Sequence, residues 1–399
     1  MSKKLYEESS IQAIANAIRS KNGSETTYKI SEMPAAIEAI KGGFPNGTEW
    51  TVISPGVNMD SIFYANGLWV GSGFGIYYST DGKTWTQSNI TSGSYNFVNA
   101  NGIWVGYRPN YGFIYSTDGK TWTQSNITSG SYNFVNSNGI WVAGASFVTT
   151  SGLVKNNDGI YYSTDGKTWT QSNITSECFQ VVYGNGIWVA GTYDGNLNKK
   201  GIYYSTDGKT WTQSNIISNF YKVFYANGIF MANGRFINNS MLYYSTDGKA
   251  WTQSNLPENF VDKIVYDNGL WVLSCYNGIY YSTDGKTWTQ SNITSVEYNN
   301  NNFVHANGLW VYSSDGIYYS TDGKTWTQSN ITSGSYNFVN ANGIWVGYRL
   351  NYGFIYSTDG KTWTQSNITS GGGSTVAYGN GIWVGGAMTS VYSISWEPT

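Results

Sequence analysis

Residues 95–127 read YNFVNANGIWVGYRPNYGFIYSTDGKTWTQSNI, and this stretch decides the fold. Tyr95–Ala100 reads as a first short strand. Asn101-Gly102 follows, a dipeptide suited to positive φ at both central positions of a two-residue hairpin turn. Ile103–Tyr107 reads as a second strand and Gly112–Ser116 as a third. After a turn over Thr117–Lys120, Thr121–Ser125 is the fourth. Four short antiparallel strands in roughly 37 residues have the size of one β-propeller blade. A β-solenoid would need a shorter rung and parallel strands, so the Asn-Gly hairpin speaks against it.

The same unit recurs along the chain. Ser-Thr-Asp-Gly-Lys-x-Trp begins at Ser79, Ser116, Ser163, Ser205, Ser245, Ser282, Ser320 and Ser357, at spacings from 37 to 47 residues. Asn-Gly-(Ile/Leu)-(Trp/Phe) appears nine times, at Asn66, Asn101, Asn138, Asn185, Asn227, Asn268, Asn307, Asn342 and Asn380. Residues 91–130 and 332–371 differ only in Pro109 against Leu350, the mark of internal duplication.

The two ends of the array complement one another. Asn380-Gly381 is followed by Ile382–Gly385 and Ser390–Trp396, but by no further box. Glu49-Trp50-Thr51-Val52 matches the fourth strand, Thr121-Trp122-Thr123-Gln124, with no first three strands before it. Three strands and one strand make a blade. The expectation is an all-β, nine-bladed propeller over residues 49–399, closed by that shared blade, with eight blades if the ends do not pair. Closure removes the sheet edges that invite aggregation.

Composition agrees with a packed β ring. Of 399 residues, 12% are charged and 17% aromatic, the reverse of the balance that disorder needs. A formal net charge of −2 offers no basic field to nucleic acid or to an anionic membrane. The segment MSKKLYEESS holds no apolar run for a signal peptide or membrane span, so the chain is expected to start out in the cytosol. Cys178 and Cys275 fall in repeats two apart and are expected as separate buried thiols.

The repeated box resembles the Asp-box of sialidase-like propellers, although Asp81 to Trp85 spans four residues, one fewer than the commonest family spacing. Physically, the Asp can accept backbone N–H bonds within its turn, Gly82 can take positive φ, and the Trp can pack near the outer rim. A turn device needed once per blade recurs once per blade, so the eight carboxylates read as structural rather than as metal sites. The resemblance would also imply sialidase-type catalysis by three clustered arginines, a tyrosine paired with a glutamate, and an aspartic acid. The ring holds only Arg108, Arg235 and Arg349, in the second, fifth and eighth repeats, and a single histidine, His305. We therefore expect no enzyme, no cofactor and no bound metal.

Strand order puts the Asn-Gly and Asp-Gly-Lys turns on one face, nearly invariant between copies. Second-to-third-strand loops and blade-to-blade connections lie on the other, where the copies diverge. Variable loops on a rigid scaffold are a usual place for recognition. The candidate ligand-binding residues are Tyr107, Arg108, Asn110, Tyr111, Phe147, Tyr193, Asp194, Arg235, Phe236, Tyr348, Arg349 and Tyr352. Their aromatic faces and hydrogen-bonding tips suit sugars or protein surfaces.

Residues 1–43 are different in kind. Ile11, Ile14, Ala15 and Ile18 form the apolar stripe of a short helix, and Ser31 can cap a second helix carrying Met33, Ile37 and Ile40. Residues 44–48 read as a linker. So short a module cannot build an adequate core alone and should dock on another chain or on copies of itself, which leaves a homo-oligomer open. The stretch LYEESSIQAIANAIRSKNGSETTYKISEMPAAIEAI resembles a short N-terminal module of tail proteins in phages and prophages of Gram-positive bacteria. That resemblance implies a virion tail protein assembled in the host cytoplasm. Residues 1–43 would hold other tail proteins, and the propeller would face a host-surface glycan or protein. The alternatives are a bacterial lectin-like or protein-interaction propeller with no virion role and, behind it, a glycoside hydrolase.

Overall fold

All nine Asn-Gly turns adopt the left-handed pair that their chemistry favours, with φ of 46–53° at Asn and 72–77° at Gly. In the computed structural model each of these hairpins opens one four-stranded antiparallel sheet, and there are nine such sheets. The structure describes residues 50–395 apart from 109–110, 129–130, 147–158, 194–199, 236–239, 258–260, 297–301, 350–351, 370–371 and 388–389. The expected helical module (1–43) and linker (44–48) lie outside the described residues.

Blade 1 begins with Met59–Ala65, and blades 2 to 8 follow in chain order. Blade 9 takes three strands from the C-terminal region, Gly372–Gly379, Ile382–Ala387 and Ser390–Ser395. Its outermost strand is Thr51–Pro55, paired antiparallel with Ser390–Ser395 so that Thr51 faces Ser393 and Val52 faces Tyr392. The ring is therefore nine-bladed and closed by the strand expected from the sequence.

Apolar residues from both sheets meet at each seam between neighbouring blades. Between blades 1 and 2, for instance, Leu68, Val70 and Ile76 pack against Phe97, Trp104, Ile114 and Trp122. Seven of the eight box tryptophans are 5% exposed or less, with Trp85 the exception at half-buried. Trp50 takes the same place in blade 9, stacked on Phe354 with ring centroids 4.4 Å apart. At about 25 cal/mol per Å², each such ring adds a few kcal/mol of burial.

The box itself is a self-contained turn. Ser116 Oγ donates to Asp118 Oδ1 (2.9 Å) and accepts from the Gly119 N–H (2.8 Å). The same Oδ1 accepts from the backbone N–H groups of Lys120 and Thr121, both at 2.8 Å. Gly119 sits at φ 71°, and a Cβ there would lie 3.2 Å from the Trp104 ring, so two reasons demand glycine.

A second device ties each blade to the next. Asn89 Oδ1 accepts from the Trp122 N–H (2.9 Å), and its Nδ2 donates to the Trp122 carbonyl (2.8 Å). The amide thus imitates a strand's own hydrogen-bonding edge. Asn126, Asn173, Asn215, Asn255, Asn292 and Asn330 repeat this on the next box tryptophan, and Asn367 does so on Trp50. Only the seam from blade 9 to blade 1 departs. There Ser54 stands where the other blades have Asn, and no such latch reaches Trp85 among the described residues. That seam is bridged nearer the axis, where Ser374 Oγ lies 2.8 Å from the Met59 carbonyl and 2.9 Å from that of Gly386.

Candidate functional site

The two faces of the ring differ in what they leave free. On the Asn-Gly and box face, every box aspartate spends its Oδ1 on its own turn, as at Asp81, Asp165 and Asp207. Seven box lysines stand over a tyrosine of the preceding blade, as Lys120 does over Tyr78 at 5.7 Å and Lys324 over Tyr281 at 5.6 Å. Backbone N–H donors from Thr84 and Lys83 hold the Asp81 carboxyl down at about 2. These groups are charged but already partnered, and no three metal-ligating side chains come together among the described residues.

The opposite face carries unspent apolar surface. Phe74 is 70% exposed, Tyr276 67%, Tyr111 54% and Tyr352 51%, and all four sit in second-to-third-strand loops. Ile217 joins them from a blade-to-blade connection. Of the large exposed hydrophobics among the described residues, Val52 on the outermost strand of blade 9 alone lies elsewhere. Single exposed apolar residues are ordinary, but a one-sided set of aromatics is not.

Arg108 and Tyr111 form a unit on blade 2, the guanidinium 3.7 Å from the centre of the Tyr111 ring. Blade 8 carries the duplicate, with Arg349 3.7 Å over Tyr352. Each guanidinium lies across the glycine of the preceding connection, Gly93 (φ 91°) or Gly334 (φ 86°), where a Cβ would overlap it. The arginines are thereby held flat rather than waving in solvent. The surroundings of the two copies differ, because Phe74 precedes the third strand of blade 1 where Asp315 precedes that of blade 7. Asp315 Oδ1 accepts a long bond, 3.4 Å, from the Gly334 N–H, next to Arg349.

Between blades 6 and 7 the same face opens into a cleft of about 780 Å³. Tyr276, Asn277, Ser295, Tyr312, Asp315 and Tyr318 are among its walls. The Tyr312 side chain is fully buried, and burial pushes its phenol well above the ordinary range. Its hydroxyl has no hydrogen bond of ordinary geometry, although the Ser314 side chain is close enough to interact with it.

The structure divides the sequence candidates. Tyr111 and Tyr352 are exposed with Arg108 and Arg349 against them. Tyr107 and Tyr348 turn out to be packing residues: Tyr107 lies 5.4 Å from Phe134, Tyr348 joins the core around Phe354, and burial raises both phenols. Tyr193, at the end of its strand, meets Phe179 edge-on at 6.1 Å. Asn110, Phe147, Asp194 and Phe236 lie outside the described residues, as does the side chain of Arg235. The candidates are not brought together, since the two Arg-Tyr units are separated by blades 9 and 1. Tyr276, Ser295 and Asp315 were not among the sequence candidates, because only the packing of two blades brings them together. The signal available was the residue before the glycine that opens each third strand, which is Phe74, Tyr111, Asp315 or Tyr352 in different copies.

A nine-bladed propeller with one self-satisfied face and one variable, aromatic face is the class of protein that these observations define. No protein-family model matches the chain, and no curated protein does. Among solved structures it is similar to the computationally designed Ika8 protein, with a TM-score of 0.52 at 10% identity over 75% of this chain and 95% of that one. It is also similar to an ancestral GH74 enzyme (TM-score 0.44, 14% identity, 86% and 60% coverage). A third likeness is to BamB from Moraxella catarrhalis (0.47, 10%, 87% and 98%). At such identities the likeness concerns the fold.

Proposed function

We propose that this chain is a recognition protein of a phage tail whose propeller holds a host-surface glycan through the variable-loop face. The observation that carries the binding half of this reading is the one-sided placement of Phe74, Tyr111, Tyr276 and Tyr352. Flat aromatic rings with hydrogen-bonding neighbours suit the mixed C–H and hydroxyl surface of a sugar. The virion half rests on the resemblance of residues 1–43 to tail-protein modules. Catalysis is no part of the proposal, because Arg108, Arg235 and Arg349 belong to blades three apart.

The test uses the labelled full-length chain on a glycan array and on Gram-positive cells, beside a variant with Phe74, Tyr111, Tyr276 and Tyr352 all changed to alanine. Binding by the native chain and its loss in the folded variant are expected. Equal binding by both would remove the face from consideration. Removing residues 1–43 should abolish incorporation into particles while leaving glycan binding intact.

A further inference from the structure

We propose that the cleft between blades 6 and 7 is a saccharide-binding site selective for neutral or amino-bearing sugars over acidic ones. The inference rests on the reading of the variable face as a recognition surface, and narrows that reading to one place and one chemistry.

Size comes first. About 780 Å³ falls within the usual range for small-ligand pockets, roughly 300–1,000 Å³, and leaves room for one or two pyranose rings. Shape and polarity follow. Tyr276 stands two-thirds exposed at the edge, so its ring can lie against the C–H face of a sugar. Asn277 and Ser295, both exposed, supply side-chain amide and hydroxyl groups, donors and acceptors both.

At the cleft wall lies the Tyr312 hydroxyl. It is buried, with the Ser314 side chain close enough to interact with it. The aromatic rings around Tyr312 fix its position, with Phe303 stacked at 4.4 Å and Trp326 edge-on at 6.0 Å.

Charge then selects among sugars. Among the described residues the lining includes one carboxylate, Asp315, and no Lys, Arg or His. Its backbone bond to Gly334 is long at 3.4 Å, which leaves acceptor capacity for a ligand. A uronate, sialate or phosphate would enter facing Asp315 with no cation in the described lining, whereas a hydroxyl or ammonium group would find an acceptor.

The experiment titrates the full-length chain with N-acetylglucosamine, methyl glucoside, glucosamine, glucuronate and sialic acid, followed by saturation-transfer NMR. The same protein and its variants are run on a glycan array. Expected are transfer to the neutral and amino sugars, none to the two acids, and at least a tenfold weakening in Tyr276→Ala. Asp315→Asn should weaken glucosamine more than methyl glucoside. Val52→Ala, on the outermost strand of blade 9 and away from this face, should leave all of these unchanged, and circular dichroism confirms that each variant is folded. Array binding that survives Tyr276→Ala but is lost in Tyr352→Ala overturns the cleft and spares the wider reading. Preference for the acidic sugars overturns the selectivity. A native chain that binds no saccharide in either format overturns both.

Discussion

The Asn367 side chain grips both backbone polar groups of Trp50, accepting from its N–H at 2.8 Å and donating to its carbonyl at 3.0 Å across 317 residues of sequence. Among the described residues no other asparagine latch joins the two ends of the chain, and this one seats the closing strand of blade 9 against blade 8. Replacing Asn367 with alanine leaves two part-buried backbone groups without these partners, and each unmade bond costs about 1 kcal/mol or more. We expect Asn367→Ala to lose about 1–3 kcal/mol, read as a lower urea midpoint. No shift in the midpoint would show that water replaces the latch at no cost.

The seam from blade 9 to blade 1 offers the converse test. Ser54 occupies the latch position, and Trp85 beyond it is the one box tryptophan left half-buried. Ser54→Asn supplies an amide of the length used at the other eight seams. Gaining that bidentate contact should raise stability by about 1 kcal/mol. The readout is again the urea midpoint, together with a blue shift of tryptophan emission if Trp85 becomes better covered. A destabilised variant would mean that the bulge between Val52 and Ser54 turns the side chain away.

Much of this molecule was legible in its sequence because turn chemistry is local. Asn-Gly and Ser-Thr-Asp-Gly-Lys each dictate a backbone shape wherever they occur, so counting them counted blades, and the unmatched pieces at Trp50 and Ser390–Trp396 closed the ring. The start of each first strand was less legible. In blades 1, 4, 5 and 6 a bulge drops Met59, Cys178, Phe220 and Val261 into the core, whereas the unbulged blades 2 and 8 bury Tyr95 and Tyr336 one position later. Either solution fills the same space, and no local rule chooses between them. The cleft was hidden for a related reason. It is made by loops from two blades, and only their juxtaposition brings Tyr276, Ser295 and Asp315 together.

Acid should unfold the ring through its boxes. The Asp81 carboxyl is held at about 2 chiefly by the Thr84 N–H, which with the Lys83 N–H and Ser79 outweighs the upward push of burial. Asp247 and Asp284 are lowered in the same way. At Asp118, Asp165, Asp207, Asp322 and Asp359 burial pushes upward, but the turn's hydrogen bonds outweigh it and the shift is again downward. An unfolded aspartate titrates near 3.9, so between about pH 4 and 2 the unfolded chain binds more protons than the folded one. The stabilisation is complete above that window and is lost as pH falls through it. Urea midpoints taken from pH 6 to pH 2 should stay level and then drop steeply below about pH 4. Asp118→Asn should make the drop shallower, and a flat profile down to pH 2 would contradict the turn's role.

The two cysteines provide a last test, one of packing rather than charge. Cys178 is fully buried at the seam of blades 3 and 4, and Cys275 at that of blades 5 and 6, both as free thiols. Burial pushes the Cys178 thiol up to about 12 and that of Cys275 to about 11. Because the thiolate is the nucleophile, almost none exists at pH 8, and the surrounding blades also block the reagent. Native protein should therefore react with a disulfide reagent such as DTNB at a negligible rate, while protein in denaturant releases two equivalents per chain at once. The rate on native protein reports how often a seam opens, and the latches predict which opens first. Asn173→Ala, which removes the latch on Trp211, loosens the seam that covers Cys178 and should speed its reaction selectively, leaving Cys275 protected. Equal acceleration at both thiols would mean that the ring opens as a whole instead of seam by seam.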